Sequence, residues 1–243
     1  MTCMTESDLI KMDFSYIDEN VADVRERIAD AARRSGRCAQ DVLLMAAIKS
    51  ADVDEVNYIH KSLGICDVGE NRVQQLTERY DKLDREDLNI HFIGSLQTNK
   101  VKYISDKVSL IHSLDSLRLA DEIEKQAKKR GIRARVLVEI NSGNEESKGG
   151  IDALDAEGFC LDLQKYGSIE LCGFMTMAPR CEDKREYYGY FERTRKLSDT
   201  LWHNTLGREG DPILSMGMSE SFEEAIECGS TMVRIGRTLF KKD

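Results

Sequence analysis

The sequence predicts an α/β protein folded as a single (β/α)8 TIM-type barrel with an N-terminal helix, and three observations carry that reading. Eight short apolar runs recur along the chain, helical stretches separate them, and the length of 243 residues suits one such barrel. Strands alternating with helices make parallel βαβ units, and a count of eight favours a closed barrel. A doubly wound open sheet is the structural alternative.

The first helix places Ile17, Val21, Val24 and Ile28 on one face at helical spacing and stops near Ser35-Gly36. DVLLMAAIK (41–49) follows, a nearly continuous apolar run that reads as a strand buried on both faces. Runs of the same kind are ICDVGE (65–70), NIHFIGS (89–95), SLIHSLDS (109–116), ARVLVEINS (134–142), IELCGFMTM (169–177), PILSMGMS (212–219) and TMVRIG (231–236). Among the intervening helices, Leu117 to Gly131 turns Leu117, Ala120, Ile123 and Ala127 inward. It carries Asp121/Lys125 and Glu124/Lys128 as i,i+4 pairs, with Gly131 as its C-terminal cap. Ser221 to Gly229 opens with a capping-box pattern, Ser221 and Glu224. With only Pro179 and Pro212 as prolines and no Gly/Ser-rich stretch, nothing marks a linker, and residues 1–243 read as one domain.

Composition narrows the function classes. Apolar residues make up 41% of the chain, enough for a substantial core, and the net charge of −9 offers no broad field for nucleic acid. No apolar run reaches the roughly 18–20 residues of a membrane span. The opening MTCMTESDLIKMDF lacks the basic-then-apolar order of a secretion signal. Seven cysteines (3, 38, 66, 160, 172, 181 and 228) are odd in number, with no C-x-x-C pair. They read as free thiols rather than a disulfide framework or zinc site, and the cytoplasm is the expected compartment.

In a β/α barrel, chemistry collects at the C-terminal ends of the strands. Lys49 ends the first strand directly after VLLMAAI. A low-dielectric mouth there favours the neutral amine that condenses with an aldehyde, although a solvent-seeking lysine explains the position equally simply. GEN (69–71) closes the second strand: Gly69 permits an unusual backbone angle, and Glu70 or Asn71 can meet a ligand or cap a helix. HFIGSLQTNK (91–100) carries a polar turn, and His91 reads as a core histidine, with no second ligand at metal spacing. NSGNEESKGG (141–150) lacks G-x-G-x-x-G and the Walker spacing, so it reads as a mobile lid or plain loop.

SMGMS (215–219) and RIG (234–236) end the last two strands, where barrels often seat a phosphate. Ser219 offers a hydroxyl, Gly236 and Arg237 offer backbone N–H groups, and Arg234 or Arg237 offers charge. Met175, Met177, Met216 and Met218 cluster nearby, either as core or as walls for a flat apolar ring.

These segments, in order, resemble the pyridoxal-phosphate homeostasis protein family. The stretches that carry the resemblance are AAIKS (46–50), GENRVQQL (69–76), HFIGSLQTNKVK (91–102), INSGNEESKGGI (140–151), GFMTMAP (173–179) and LSMGMSESFEEAIECGSTMVRIGRTLF (214–240). The resemblance implies an alanine-racemase-like barrel that binds pyridoxal 5′-phosphate as a Schiff base on Lys49. Ser219 and the backbone at Gly236 and Arg237 would hold the phosphate. Arg234 would lie near the ring or phosphate, Asn71 near the ring edge, and Met218 beside the cofactor. Arg237 stands where the family often has a small hydroxyl residue, and Ser95 replaces a larger residue in the HFIGxLQ turn.

Related racemases and decarboxylases complete their sites with a second, β-rich domain, for which no residues remain here. The resemblance therefore implies a carrier and buffer of the cofactor rather than an enzyme. Such a carrier would be a monomer with pyridoxal-phosphate-dependent enzymes as recipients, and with neither nucleic acid nor membrane as partner. The alternatives are a minimal amino-acid racemase or decarboxylase, with Tyr103, His112 and Cys172 as candidate bases by type, and a phosphosugar-binding barrel enzyme.

Overall fold

The computed structural model of the protein describes residues 13–143 and 149–242. The described residues form nine parallel strands: β1 (Leu43–Ala47), β2 (Asp67–Glu70), β3 (Asn89–Phe92), β4 (Leu110–Leu114), β5 (Ala134–Asn141), β6 (Ile151–Asp152), β7 (Ile169–Thr176), β8 (Ile213–Met218) and β9 (Met232–Ile235). Their order is β4-β3-β2-β1-β9-β8-β7-β5-β6, and pairing of β4 with β5 closes a ring of eight. All eight expected strands are present. The ninth, β6, is a two-residue addition beside β5, too short for its pattern to be read from sequence.

Burial on both faces explains the continuous apolar runs. In β1, Met45 and Ala47 join a small cluster inside the barrel with Ile93, Leu110, Leu137, Met175 and Met232. The intervening Ala46 and Ile48 join the much larger layer between barrel and helices. That outer layer is filled by α1 (Ser15–Arg34), α2 (Val53–Lys61), α3 (Val73–Arg79), α4 (Val101–Ile104), α5 (Leu117–Arg130), α6 (Ala156–Leu163), α7 (Arg185–Asp199) and α8 (Phe222–Glu227). α1 buries Ile17, Val21, Val24 and Ile28, as its spacing predicts. Arg27 and Arg34 fasten it to Glu223 and Glu227 around α8.

Several local expectations are corrected. Leu117 is exposed, and Leu119 takes the inward place on α5. Lys125 pairs with Glu122 while Asp121 accepts from the Tyr166 hydroxyl; the Glu124–Lys128 pair forms at 2.9 Å. Gly131 caps α5 in the left-handed conformation, φ +66°. Ser221 precedes α8, but its hydroxyl accepts from the Met218 N–H instead of closing a capping box, and Glu224 faces Lys184. Gly69 takes no left-handed angle. It is required for space, because a Cβ there would lie 2.7 Å from Met45 Sδ and 2.8 Å from Ile93 Cδ1.

Of the loop 141–150, residues 144–148 lie outside the described residues, as does Cys3. Cys38, Cys66, Cys160, Cys172 and Cys228 are thiols. Among the described residues no helix is long and apolar enough to cross a membrane, and no cluster of three metal-ligating side chains occurs.

Candidate functional site

The C-terminal mouth of the barrel holds a cleft of about 260 Å³ lined by all seven residues singled out from sequence: Lys49, Asn71, Met218, Ser219, Arg234, Gly236 and Arg237. Strand alternation delivers the first of them. Positions 45 and 47 point into the barrel, so Lys49, two further on, rises over the same interior. Lys49 is exposed, which departs from the expected low-dielectric setting. Among the described residues its amine has no hydrogen bond or ion pair, and so it is open to a ligand. The Ser219 hydroxyl is likewise uncommitted.

Two close approaches shape the cleft. A Cβ at Gly236 would lie 2.7 Å from the Ala47 carbonyl oxygen, so β9 and β1 meet tightly just below Lys49. Gly94, in the turn after β3, presses against the backbone of Asn71, where any side chain would strike the Asn71 carbonyl. This contact gives the HFIGS turn its role: it fixes the backbone of Asn71. The Asn71 Oδ1 atom is buried with no hydrogen-bond partner among the described residues, an unmet acceptor in a residue that lines the cleft. Glu70 does not face the cleft. Its Oε1 accepts the Asn71 N–H at 2.7 Å and its Oε2 faces Arg79 at 3.4 Å, which locks the turn from below.

The two arginines play different parts. Arg237 is exposed and paired with Glu220 at 2.8 Å, while Arg180 reaches the other Glu220 oxygen at 3.8 Å. Arg234 is 4% exposed. Its Nη1 donates to the Ser215 carbonyl and hydroxyl oxygens, both at 2.6 Å, and its Nη2 to the Thr176 carbonyl at 3.0 Å. It therefore forms the floor of the cleft and ties β7, β8 and β9 together. Burial draws its pKa down to about 10, opposed by Glu139. Glu139, also inside the barrel, is pushed up to about 7 by burial and by Asp115, against the pull of Arg234.

The methionines divide. Met175 and Met216 are core, whereas Met177 and Met218 are 40% and 38% exposed and wall the cleft with Ile93. Sequence reasoning missed Ile93, Arg180, Glu220 and Tyr187 as lining residues. Arg180 directly follows GFMTMAP, and Ile93 and Glu220 lie inside stretches that carry the resemblance, so all three were legible as neighbours; Tyr187 lies on α7, and no local pattern marks it. His91 is indeed a buried histidine, yet its partners, Asp67 at 2.9 Å and His112 at 3.0 Å, come from other strands.

A free amine, a hydroxyl and a guanidinium for an anion, apolar walls and an unpartnered amide oxygen suit a phosphorylated aromatic aldehyde. Comparison with known proteins agrees. Residues 18–243 match the family model described as alanine racemase, N-terminal domain. The chain is 42% identical over 222 residues to a pyridoxal phosphate homeostasis protein of Aquifex aeolicus, covering 91% of this chain and 96% of that one. This chain belongs to the pyridoxal phosphate homeostasis protein family. The structure of PipY from Synechococcus elongatus with pyridoxal phosphate bound superposes on this family member with a TM-score of 0.78 at 26% identity, covering 93% of this chain and all of PipY. A Clostridium difficile alanine racemase shares the fold, with a TM-score of 0.73 at 18% identity; the homeostasis-family chain spans 57% of that enzyme.

Proposed function

We propose that this protein binds pyridoxal 5′-phosphate as a Schiff base on Lys49 and serves intracellular cofactor homeostasis as a carrier and buffer. The observation that carries the reading is the convergence of Lys49, Asn71, Ser219, Gly236 and Arg237 on one cleft. The amine would attach the aldehyde, Ser219 with the backbone at Gly236 and Arg237 would hold the phosphate, and Met218 would flank the ring. The cofactor supplies an electron-withdrawing ring and a reactive aldehyde, and the protein supplies attachment, orientation and limited exposure.

Turnover of amino acids requires in addition a base positioned against Lys49. Of the candidates by type, Tyr103 lies exposed on α4, His112 is fully buried in the barrel, and Cys172 sits within β7; none lines the cleft, and the one phenol that does, Tyr187, is buried and accepts the Cys181 N–H at 3.3 Å. This favours carriage over racemisation or decarboxylation. The same reading takes the protein to be a one-domain cytoplasmic monomer that passes the cofactor to dependent enzymes.

The test is the visible and near-ultraviolet absorbance of purified protein with added pyridoxal phosphate, before and after borohydride. A Schiff-base band that vanishes on reduction and leaves an adduct on Lys49 is the expected result. A protein that stays colourless would overturn the reading in favour of a phosphosugar ligand.

A further inference from the structure

A chain of four contacts crosses the barrel interior beneath the cleft. Asp67, at the start of β2, lies 2.9 Å from His91 Nε2 on β3. His91 Nδ1 lies 3.0 Å from His112 Nε2 on β4, and His112 Nδ1 lies 3.0 Å from the Ser215 hydroxyl on β8. The Ser215 hydroxyl in turn lies 2.6 Å from Arg234 Nη1 on β9. His112 and Ser215 are wholly buried, and His91 and Arg234 are each 4% exposed.

We propose that Asp67, His91, His112 and Ser215 are positioning residues for the cofactor, a hydrogen-bond relay that holds Arg234 in a fixed orientation under the bound ring. The inference rests on pyridoxal phosphate occupying the cleft.

The direction of the relay follows from its ends. A guanidinium only donates and a carboxylate only accepts, while a hydroxyl and a neutral imidazole do both. With both imidazoles neutral, Arg234 donating at one end and Asp67 accepting at the other, a single arrangement satisfies all four contacts. The Ser215 hydroxyl donates to His112 Nδ1, His112 Nε2–H donates to His91 Nδ1, and His91 Nε2–H donates to Asp67. Both imidazoles then carry one proton, on Nε2. Burial, with the Arg234 guanidinium nearby, holds the pKa of His112 well below its ordinary value, in keeping with a neutral ring.

Packing alone does not explain these side chains. Barrel interiors are filled economically by branched apolar residues, and a buried polar network is costly unless every member is satisfied. Here the satisfied network ends on the one arginine that lines the cleft floor. Small losses of orientation in such a charged donor alter what it presents to a ligand.

The experiment has two arms. In the cofactor-free protein, 15N spectra of the imidazoles are expected to show His91 and His112 neutral and protonated on Nε2. A proton on His91 Nδ1 would overturn the relay. In the second arm, pyridoxal phosphate is titrated into wild type, Asp67→Asn and Ser215→Ala. Ser215→Ala is expected to raise Kd about five-fold, the loss of roughly one hydrogen bond, and to shift the absorbance band of the bound cofactor; Asp67→Asn, whose amide oxygen still accepts from His91 but without the charge, is expected to move both readouts the same way by less. Ser215→Thr, which keeps the hydroxyl, is expected to restore the band. Leu137→Val, an interior change outside the relay, is expected to lower stability without moving it. If Asp67→Asn does not fold, Ser215→Ala decides. Wild type that binds while the relay variants match it in Kd and band overturns this inference alone. Wild type that takes up no pyridoxal phosphate overturns both this and the proposed function.

Discussion

Lys49 and Glu139 are two ionisable side chains at different depths of one barrel, and each makes a prediction. Lys49 is exposed at the mouth with no partner among the described residues. Lys49→Ala is therefore expected to fold normally, to lose the borohydride-trapped adduct, and to keep weaker binding that depends on the phosphate. Persistence of a trapped lysine adduct would place the attachment elsewhere. Glu139 is enclosed beside Asp115, and its carboxyl titrates near 7 instead of 4.5. Because the folded state holds this proton more tightly, the stabilisation it gives is complete below about pH 4.5 and is lost as pH rises through about 7. The loss is of the order of 3 kcal/mol. Glu139→Gln is expected to flatten the stability profile across that window and to exceed wild type at pH 8, as measured by urea denaturation at a series of pH values. Neither role was equally visible beforehand. Lys49 closes an apolar run and stands out, whereas Glu139 sits unmarked inside one, and only barrel closure brings Asp115 and Arg234 to it.

Among the elements, two glycines separate steric from conformational cost. Gly131 ends α5 in the left-handed region, and a Cβ there would meet nothing within 4 Å. Gly131→Ala should cost only the backbone strain, about 1 kcal/mol, and leave cofactor affinity unchanged. At Gly94 a methyl group would collide with the backbone of Asn71. Gly94→Ala is therefore expected to cost about 1–3 kcal/mol and to weaken pyridoxal phosphate binding as well, since Asn71 must move. Thermal melts paired with cofactor titration distinguish the two. The strands were legible in the sequence because burial on both faces leaves few polar interruptions, none at all in β1. Helix ends were less so: Ser221 and Glu224 have the residue types of a capping box, but the nearby Met218 N–H claims the Ser221 hydroxyl and Lys184 faces Glu224. The interior relay could not be read at all, because Ser215 lies 103 residues from His112 and no local spacing records a contact made across a closed ring.

At the scale of the whole molecule, net charge and local charge oppose each other. The chain carries −9 overall, yet the cleft presents Lys49, Arg180 and Arg237 against Glu220. Charges further apart than about 8–10 Å are screened at physiological salt, so the nearby cations govern binding of an anionic phosphate. Kd is expected to rise a few-fold between about 0.05 and 0.5 M salt in an equilibrium titration. If the global charge governed, affinity would improve with salt instead. The barrel's ladder is also uneven. β5 meets β7 at seven register pairs, while β4 is held by two on either side, with an irregularity between Ile111 and Leu114 on the β5 side. His112 lies on that sparsely laddered strand and bonds to β3 on one side and across the interior to β8. Its ring is thus a rivet across a thinly laddered part of the barrel. Solvent deuterium is expected to enter the amides of β4 before those of β7, and pulling that rivet would loosen the ring there.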